Sequence, residues 1–387
     1  MKNISKTVWI LSIVSLFTDM ASEMLYPIMP VYLKSIGFSV LLIGVLEGIA
    51  EAMAGLSKGY FGKMSDQSAR RLPFVQIGYA LSAISKPMMA MFAYPLWIFF
   101  ARTVDRLGKG IRTGARDALL SDESTHANKG KVFGFHRSMD TVGAVIGPAL
   151  ALVFLYFNPG NYIYLFYLAF IPGILSVLAT FFLKESNKNL TKKISRVRFS
   201  ELVSYWKSSP ALYKKVTAGL LFFTLFNSSD IFLLLMVKQA GMTDTFVIGV
   251  YIFYNLVYAL FAYQAGRLAD KIGLKKVLIF GFTLFAIVYT GMALSQHIFI
   301  YMLLFALYGI YAAATEGISK AWISNISSKE DTATAIGTYA GFQSIFAMPA
   351  SVIAGFLWFN FGAGVAFGTT AVMTLVVVIY FALLKEY

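Results

Sequence analysis

Long apolar stretches alternate with short polar breaks along the chain. A helix needs about 20 apolar residues to cross a bilayer. Twelve stretches meet that length, near 8–33, 39–61, 72–93, 95–117, 132–157, 161–183, 215–237, 244–265, 277–296, 298–323, 333–358 and 362–384. Several are parted only by a Gly, Pro or Asn turn, as at Ala93-Tyr94-Pro95, Asn158-Pro159-Gly160-Asn161 and Asn360-Phe361-Gly362. One long polar interruption, 184–214, divides six spans from six. The pattern therefore predicts an all-α membrane protein with twelve transmembrane helices. Its parts are a first six-helix bundle over 1–183, a cytoplasmic linker over 184–214 and a second six-helix bundle over 215–387. Within the linker, Phe199, Leu202, Val203 and Trp206 recur at i, i+3, i+4, i+7, which predicts a short amphipathic helix on the cytoplasmic interface.

Composition agrees and removes other classes. Of 387 residues, 58% are hydrophobic and 13% charged, with a mean hydropathy of +0.69. That excludes a water-soluble globule and a disordered chain. There is no Cys, hence no disulfide scaffold or thiolate site. The net charge of +14 sorts by topology. With the N-terminus inside, 22 of the 33 Lys and Arg fall in cytoplasmic segments, nine in spans, and only Lys34 and Lys238 outside. Nine of them lie between Lys184 and Lys215. The basic excess thus records orientation and attraction to anionic lipid, with no nucleic-acid partner. Asp19 and Glu23 interrupt the first span and no small-residue cleavage site follows, so that span is expected to stay in the mature protein. The expected location is the plasma (bacterial inner) membrane, with both termini cytoplasmic and the protein a monomer.

The two halves repeat one another. G-K-M-S-D-Q-S-A-R-R at 62–71 returns as G-R-L-A-D-K-I-G-L-K-K at 266–276, displaced by 204 residues. Duplicated membrane halves are the signature of secondary transporters. Twelve spans, a basic central loop and a G-x-x-x-D-x-x-[GA]-x-[RK]-[RK] loop in each half resemble the major facilitator superfamily. Gly143-x-x-x-Gly147-Pro148 in the fifth span is similar to that family's antiporter-associated motif. The run D-R-L-G-K-G-I-R-T-G-A-R-D-A at 105–118 looks like a prokaryotic branch of it, departing from the usual spacing because Arg102 and Arg106 fall out of phase with Gly108 and Gly110. The resemblance implies two pseudo-symmetric bundles that rock, with spans one, four, seven and ten lining the cavity.

The motifs also read physically. Gly62 and Gly266 permit close helix approach, and Asp66 and Asp270 can cap helix N-termini or pair with nearby basic groups. Gly143, Gly147 and Pro148 let two helices pack tightly and bend. With Arg70, Arg137 and Asp140 near the cytoplasmic ends, these residues form the expected gate.

Charges within spans are costly, at least about 2.5–3.5 kcal/mol each at mid-bilayer. On the fourth span Arg102, Asp105, Arg106, Lys109, Arg112 and Arg116 share one face, opposite Phe100, Val104, Leu107 and Ile111. In the first span Asp19, Glu23, Tyr26 and Pro30 align. Two carboxylates one turn apart repel unless a cation or proton intervenes, so Asp19, Glu23 and Asp105 are proton-coupling candidates; a static network with the fourth-span Arg residues is the other reading. The second half offers Asp230 in the seventh span and Glu316 with Lys320 in the tenth, near Phe222, Phe226, Tyr251, Tyr254 and Tyr258. Summed over spans one, four, seven and ten the charges cancel, with positive excess in the first half and negative in the second. This polarity suits a small anionic or zwitterionic organic solute bound by Arg102, Arg106, Lys109, Tyr26, Asp230, Glu316 and Lys320. The alternative is a proton-antiport exporter of drug-like, cationic or metal solutes. No phosphate-binding loop, metal-ligand cluster or catalytic constellation occurs, so neither a cofactor nor enzymatic chemistry is expected.

Overall fold

The computed structural model describes residues 4–385 apart from 27, 30, 31, 34, 35, 39, 69, 186–200 and 296; at 40–52, 56, 201–204, 231, 244 and 245 only the backbone is described. Among these residues the ordered elements are α1 (Lys6–Leu25), α2 (Val40–Ser68), α3 (Leu72–Met91), α4 (Pro95–Asp122), α5 (Lys129–Phe157), α6 (Tyr162–Thr180), α7 (Glu201–Ser208), α8 (Ala211–Phe226), α9 (Ile231–Gln239), α10 (Asp244–Ile272), α11 (Leu274–Leu294), α12 (Ile298–Ile326), α13 (Thr332–Phe361) and α14 (Ala363–Leu383).

Two expected spans differ in detail. The first is a continuous helix only to Leu25, two residues ahead of Pro27. The seventh is broken: α8 ends at Phe226 and α9 starts at Ile231, with Asn227-Ser228-Ser229-Asp230 between them. Short polar side chains of this kind compete with the helix for backbone hydrogen bonds, which hydropathy does not register. Among the described residues, eight helices are individually long and apolar enough to cross a membrane. Helix α4 has the length, but its stripe carries too many charges for that test. Helices α8 and α9, at 16 and 9 residues, fail it separately.

Local sequence sets the helix ends. Ser5 and Thr243 cap α1 and α10 by accepting from Val8 N–H and Phe246 N–H, each at 3.3 Å. Gly273, the Gly of the second motif copy, has φ +104 where α10 turns into α11, a conformation other residues rarely adopt.

Packing divides the chain into two compact units. The first comprises Met1–Thr125, Met139–Ser208 and Ser327–Ser344; the second comprises His126–Ser138, Ser209–Ile326 and Ile345–Tyr387. The units therefore take two stretches out of linear order, and glycine contacts give the reason. In the first, Gly337 and Gly341 of α13 lie against Lys58, Gly59 and Gly55 of α2. In the second, Gly130 and Gly134 of α5 lie against Gly266 and Ala262 of α10. Without a Cβ the backbones meet directly, which is how helices associate where lipid gives them no hydrophobic drive.

Apolar packing differs between the units. The first buries Met24, Leu25, Phe166, Leu165, Ile98 and Met89 in one cluster. The second is aromatic, with Phe285 stacked on Tyr289 at 4.2 Å between centroids and Phe223 against Phe282 at 4.4 Å. Large apolar side chains such as Leu96, Tyr156 and Phe359 are more than four-fifths exposed, as a lipid-facing shell requires. In the linker helix α7, by contrast, Tyr205 is buried and Trp206 packs edge-on to Phe342 of α13. Phe199 lies outside the described residues, and at Leu202 and Val203 only the backbone is described, so of the expected apolar face only Trp206 is placed.

Candidate functional site

In the first unit, α4 carries the charged stripe and α3 supplies a partner for it. Lys86 Nζ lies 2.9 Å from Asp105 Oδ1 and 3.3 Å from Ser22 Oγ. Ser85 Oγ donates to the same Asp105 oxygen at 3.2 Å, and Arg102 Nη1 is 4.0 Å from the other. Ser82 Oγ accepts from Arg112 Nη1 at 2.5 Å, and the Arg112 guanidinium lies 4.6 Å over the Tyr79 ring. Gly78 and Gly108 bring α3 and α4 together, since a Cβ on Gly108 would stand 2.6 Å from the Gly78 carbonyl. Such close pairing is what makes buried charge tolerable at membrane depth. Arg102 and Asp105 are buried, Arg106 is half-buried and Lys109 is exposed. Asp105, expected to couple protons, is thus held in an ion pair with a lysine of the third span.

Further along α4, Arg116 Nη2 pairs with Asp117 Oδ1 at 2.8 Å, and its Nη1 lies 3.5 Å from Ser15 of α1. Ser15 Oγ donates to Asp140 of α5. Gly143 and Gly147 face the α1 backbone at Leu16 and Met20, and a Cβ on Gly147 would stand 2.5 Å from the Met20 carbonyl. Pro148 lies inside α5 just beyond them. On α1, Asp19 and Glu23 are half-buried, and Tyr26, which ends the helix, is 46% exposed. Pro30 lies outside the described residues.

Both motif aspartates cap helices. Asp66 Oδ2 accepts from Thr334 N–H and Thr334 Oγ1, each at 2.7 Å, and Oδ1 accepts from Ala333 N–H at 3.4 Å, all in the first turn of α13. Burial pushes the Asp66 carboxyl up to about 6; the Arg71 guanidinium, 3.3 Å away, and the α13 donors pull against that rise. Arg70, the expected gate residue, is exposed, and its neighbour Arg71 makes the pair while also reaching Asp122 at 3.3 Å. A Cβ on Gly62 would stand 2.5 Å from the Ala333 carbonyl, so Gly62 keeps this approach open. In the second unit, Asp270 accepts from Gly130 N–H and Lys131 N–H, each at 2.8 Å, capping α5. Burial raises its carboxyl as well, against those donors and the Lys131 charge. Gly266 lies against Gly130 beside it.

The second unit holds a different cluster. Asp230, at the break in the seventh span, accepts from Tyr308 Oη at 2.5 Å and Tyr254 Oη at 2.8 Å. Asn227 Nδ2 lies 3.3 Å from Tyr311 Oη. Arg137, from the first stretch of α5, donates through Nε to Tyr258 Oη, lies 5.3 Å over that ring and stands 3.9 Å from Glu316 Oε2. Glu316 thus faces Arg137, while Lys320, one turn on, is half-buried. Tyr254 and Tyr258 serve as polar partners as well as packing groups; Phe222 is exposed.

Sequence reasoning missed three participants. Lys86 carried a usable signal, because a lone lysine in an apolar span demands an acid. Tyr308 carried none, lying in an aromatic run. Glu185, just past the sixth span, accepts from Arg71 N–H and Leu72 N–H at 2.6 and 3.0 Å and caps α3, a long-range partnership that spacing cannot reveal.

The sequence model described as Major Facilitator Superfamily matches residues 11–254 and 240–386. A Methanocaldococcus jannaschii protein described as an uncharacterized MFS-type transporter is 36% identical over 366 residues, 92% of this chain and 89% of its own. The quinolone resistance protein NorA of Staphylococcus aureus is 24% identical over 124 residues, 32% of each chain. Among solved structures, the human organic anion transporter MFSD10 superposes with a TM-score of 0.83 at 15% identity, covering 97% of this chain and 98% of that one. The Escherichia coli fucose:proton symporter gives 0.79 at 12% identity, covering 98% of both. At such identities these two structures speak for the fold alone.

Proposed function

Because the chain belongs to the major facilitator superfamily and is a membrane-embedded transporter, we propose that it moves a small anionic or zwitterionic organic solute by alternating access, driven by the proton gradient. The observation that carries this reading is the charge balance on α3 and α4. Lys86, Arg102 and Arg106 act on the Asp105 carboxylate, which Lys86 engages, and Lys109 and Arg112 follow along α4. Several basic residues on one face of a spanning helix suit an anionic solute. Arg106 and Lys109 are the less buried members of the set, so they, with Arg102 behind them, would meet a carboxylate or phosphate. A positive end of the solute, or a cation that travels with it, falls to Asp230 and Glu316, with Lys320 and Tyr26 as further contacts. Asp19 and Glu23 remain the proton-coupling pair. The capping contacts of Asp66 and Asp270, with Gly62, Gly266 and the Arg137, Asp140, Gly143, Gly147 and Pro148 packing, act as the gate. Orientation follows the basic cytoplasmic loops of a plasma-membrane protein with both termini inside.

One feature favours the second reading, export of cationic drug-like solutes: the Asp230 carboxylate sits among aromatic rings, a setting that suits an organic cation. Counterflow in proteoliposomes with labelled carboxylates, phosphate esters and quaternary ammonium compounds separates the two. Arg106→Ala should lose anion counterflow selectively. Unchanged anion transport in that variant, or transport confined to cations, rejects the first reading.

A further inference from the structure

The break in the seventh span gathers buried oxygen atoms that the described residues leave short of partners. Asn227 Oδ1 is buried and completes no hydrogen bond among the described residues, and the buried Ser228 and Tyr289 hydroxyls have one another as neighbours. Tyr289 is wholly buried and Ser228 is 4% exposed. Ser228 is within hydrogen-bond reach of the Tyr289 hydroxyl, and the Asp230 charge acts on it. The Asn227 amide is oriented by its Nδ2 contact with Tyr311, which leaves its oxygen unused. Buried polar atoms are nearly always partnered, so an orphan amide oxygen beside two hydroxyls with acceptor capacity to spare points to a ligand.

The charge at this place is also unbalanced. Asp105 faces Lys86, Asp117 faces Arg116 and Glu316 faces Arg137. Asp230 has only the two phenols, Tyr254 and Tyr308, and no basic side chain among the described residues contacts it. The Glu316 carboxylate also acts on it, with the same sign. A carboxylate so placed needs a positive companion.

The donor set says which kind. It consists of carboxylate, amide, hydroxyl and phenol oxygens, with no nitrogen or sulfur ligand, which is the chemistry of a hard cation. Its single negative charge suits a monovalent ion. An unwound segment also exposes carbonyls at the end of the preceding half-helix, which in transporters serve small cations. The Asn227, Ser228 and Tyr289 oxygens are too deeply buried for a bulky ammonium group to touch them. We infer that the seventh-span break, through Asp230, Asn227, Ser228 and Tyr289, binds a sodium ion that accompanies transport. This deepens the assignment of Asp230 to a travelling cation, and it needs no knowledge of the organic substrate.

The test uses the purified full-length protein and sodium chloride as the probe. Thermal unfolding is followed against sodium chloride, with potassium, tetramethylammonium and N-methylglucamine chlorides at equal ionic strength, alongside direct binding of radioactive sodium. Sodium should raise the melting midpoint saturably and the other salts should not. Asp230→Asn should raise the half-saturating sodium concentration at least about tenfold by removing the only formal charge. Tyr289→Phe, which deletes one oxygen and keeps the ring packing, should raise it about fivefold. Glu123→Gln, at the end of α4 in the other unit, should leave it unchanged. Equal response to all salts, or a wild-type sodium response in Asp230→Asn, overturns the inference. So does a shift with tetramethylammonium alone, which would make the place an ammonium subsite. Because no organic solute is present, failure here is separate from failure of the Arg106→Ala experiment.

Discussion

Replacing Asp66 with alanine removes the acceptor on which the first turn of α13 depends. Three donors of α13, two of them backbone N–H groups, and the Arg71 guanidinium converge on this carboxylate, whose side chain is 4% exposed. Arg71 would keep Asp122 at 3.3 Å, but the N–H groups of Ala333 and Thr334 would lie buried without an acceptor. Loss of a cap costs about 1 kcal/mol and an orphaned buried donor about 1–3 kcal/mol. The contact between α2 and the start of α13 should therefore weaken by about 3 kcal/mol, roughly a hundredfold in its open fraction. Since the chain lacks Cys, Thr338→Cys supplies a single thiol at a site 1% exposed on the same stretch of α13. Its maleimide labelling rate, which follows the open population when opening is fast, should rise by that factor in Asp66→Ala and by less in Asp66→Asn. An unchanged rate in Asp66→Ala would refute the capping argument.

The same carboxyl predicts a pH dependence. Burial raises it to about 6 from an ordinary value near 3.9, so protonation strengthens the packed form. The stabilisation should be complete below pH 4 and lost as pH rises through about 6; labelling relative to Asp66→Asn at each pH checks this, and a flat ratio contradicts it. Lys86→Met should lower the melting temperature strongly, because breaking a buried pair costs about 3–5 kcal/mol. The double variant Lys86→Met with Asp105→Asn should recover most of the loss, and an additive double variant would deny the pairing. On α10, Gly266→Ala should destabilise by about 1–3 kcal/mol, since its Cβ would meet the Gly130 backbone. Gly249→Ala on the same helix, where nothing lies within 4 Å, should be neutral or stabilising by up to about 1 kcal/mol; equal melting shifts would remove the close-packing argument.

The span register, the fold class and the paired motifs were legible in the order of residues. Bilayer thickness fixes helix length, and an ion-bearing side chain in an apolar run is conspicuous wherever it falls. The charged face of α4 was visible for the same reason, because helical periodicity alone places Arg102, Asp105, Arg106 and Lys109 on one side. Which groups meet across helices was not. That Lys86 takes Asp105, that Arg71 and not Arg70 serves Asp66, that Arg137 faces Glu316 and that two phenols hold Asp230 depend on rotation and approach of separate helices. Those are set by glycine contacts such as Gly78 with Gly108 and Gly130 with Gly266. The break at Asn227–Asp230 was hidden too, since hydropathy sums over a window while a helix fails at single residues. Local chemistry thus determined where the apolar spans run; the partner of each buried charge was decided only when close-packed backbones brought distant residues within hydrogen-bond reach.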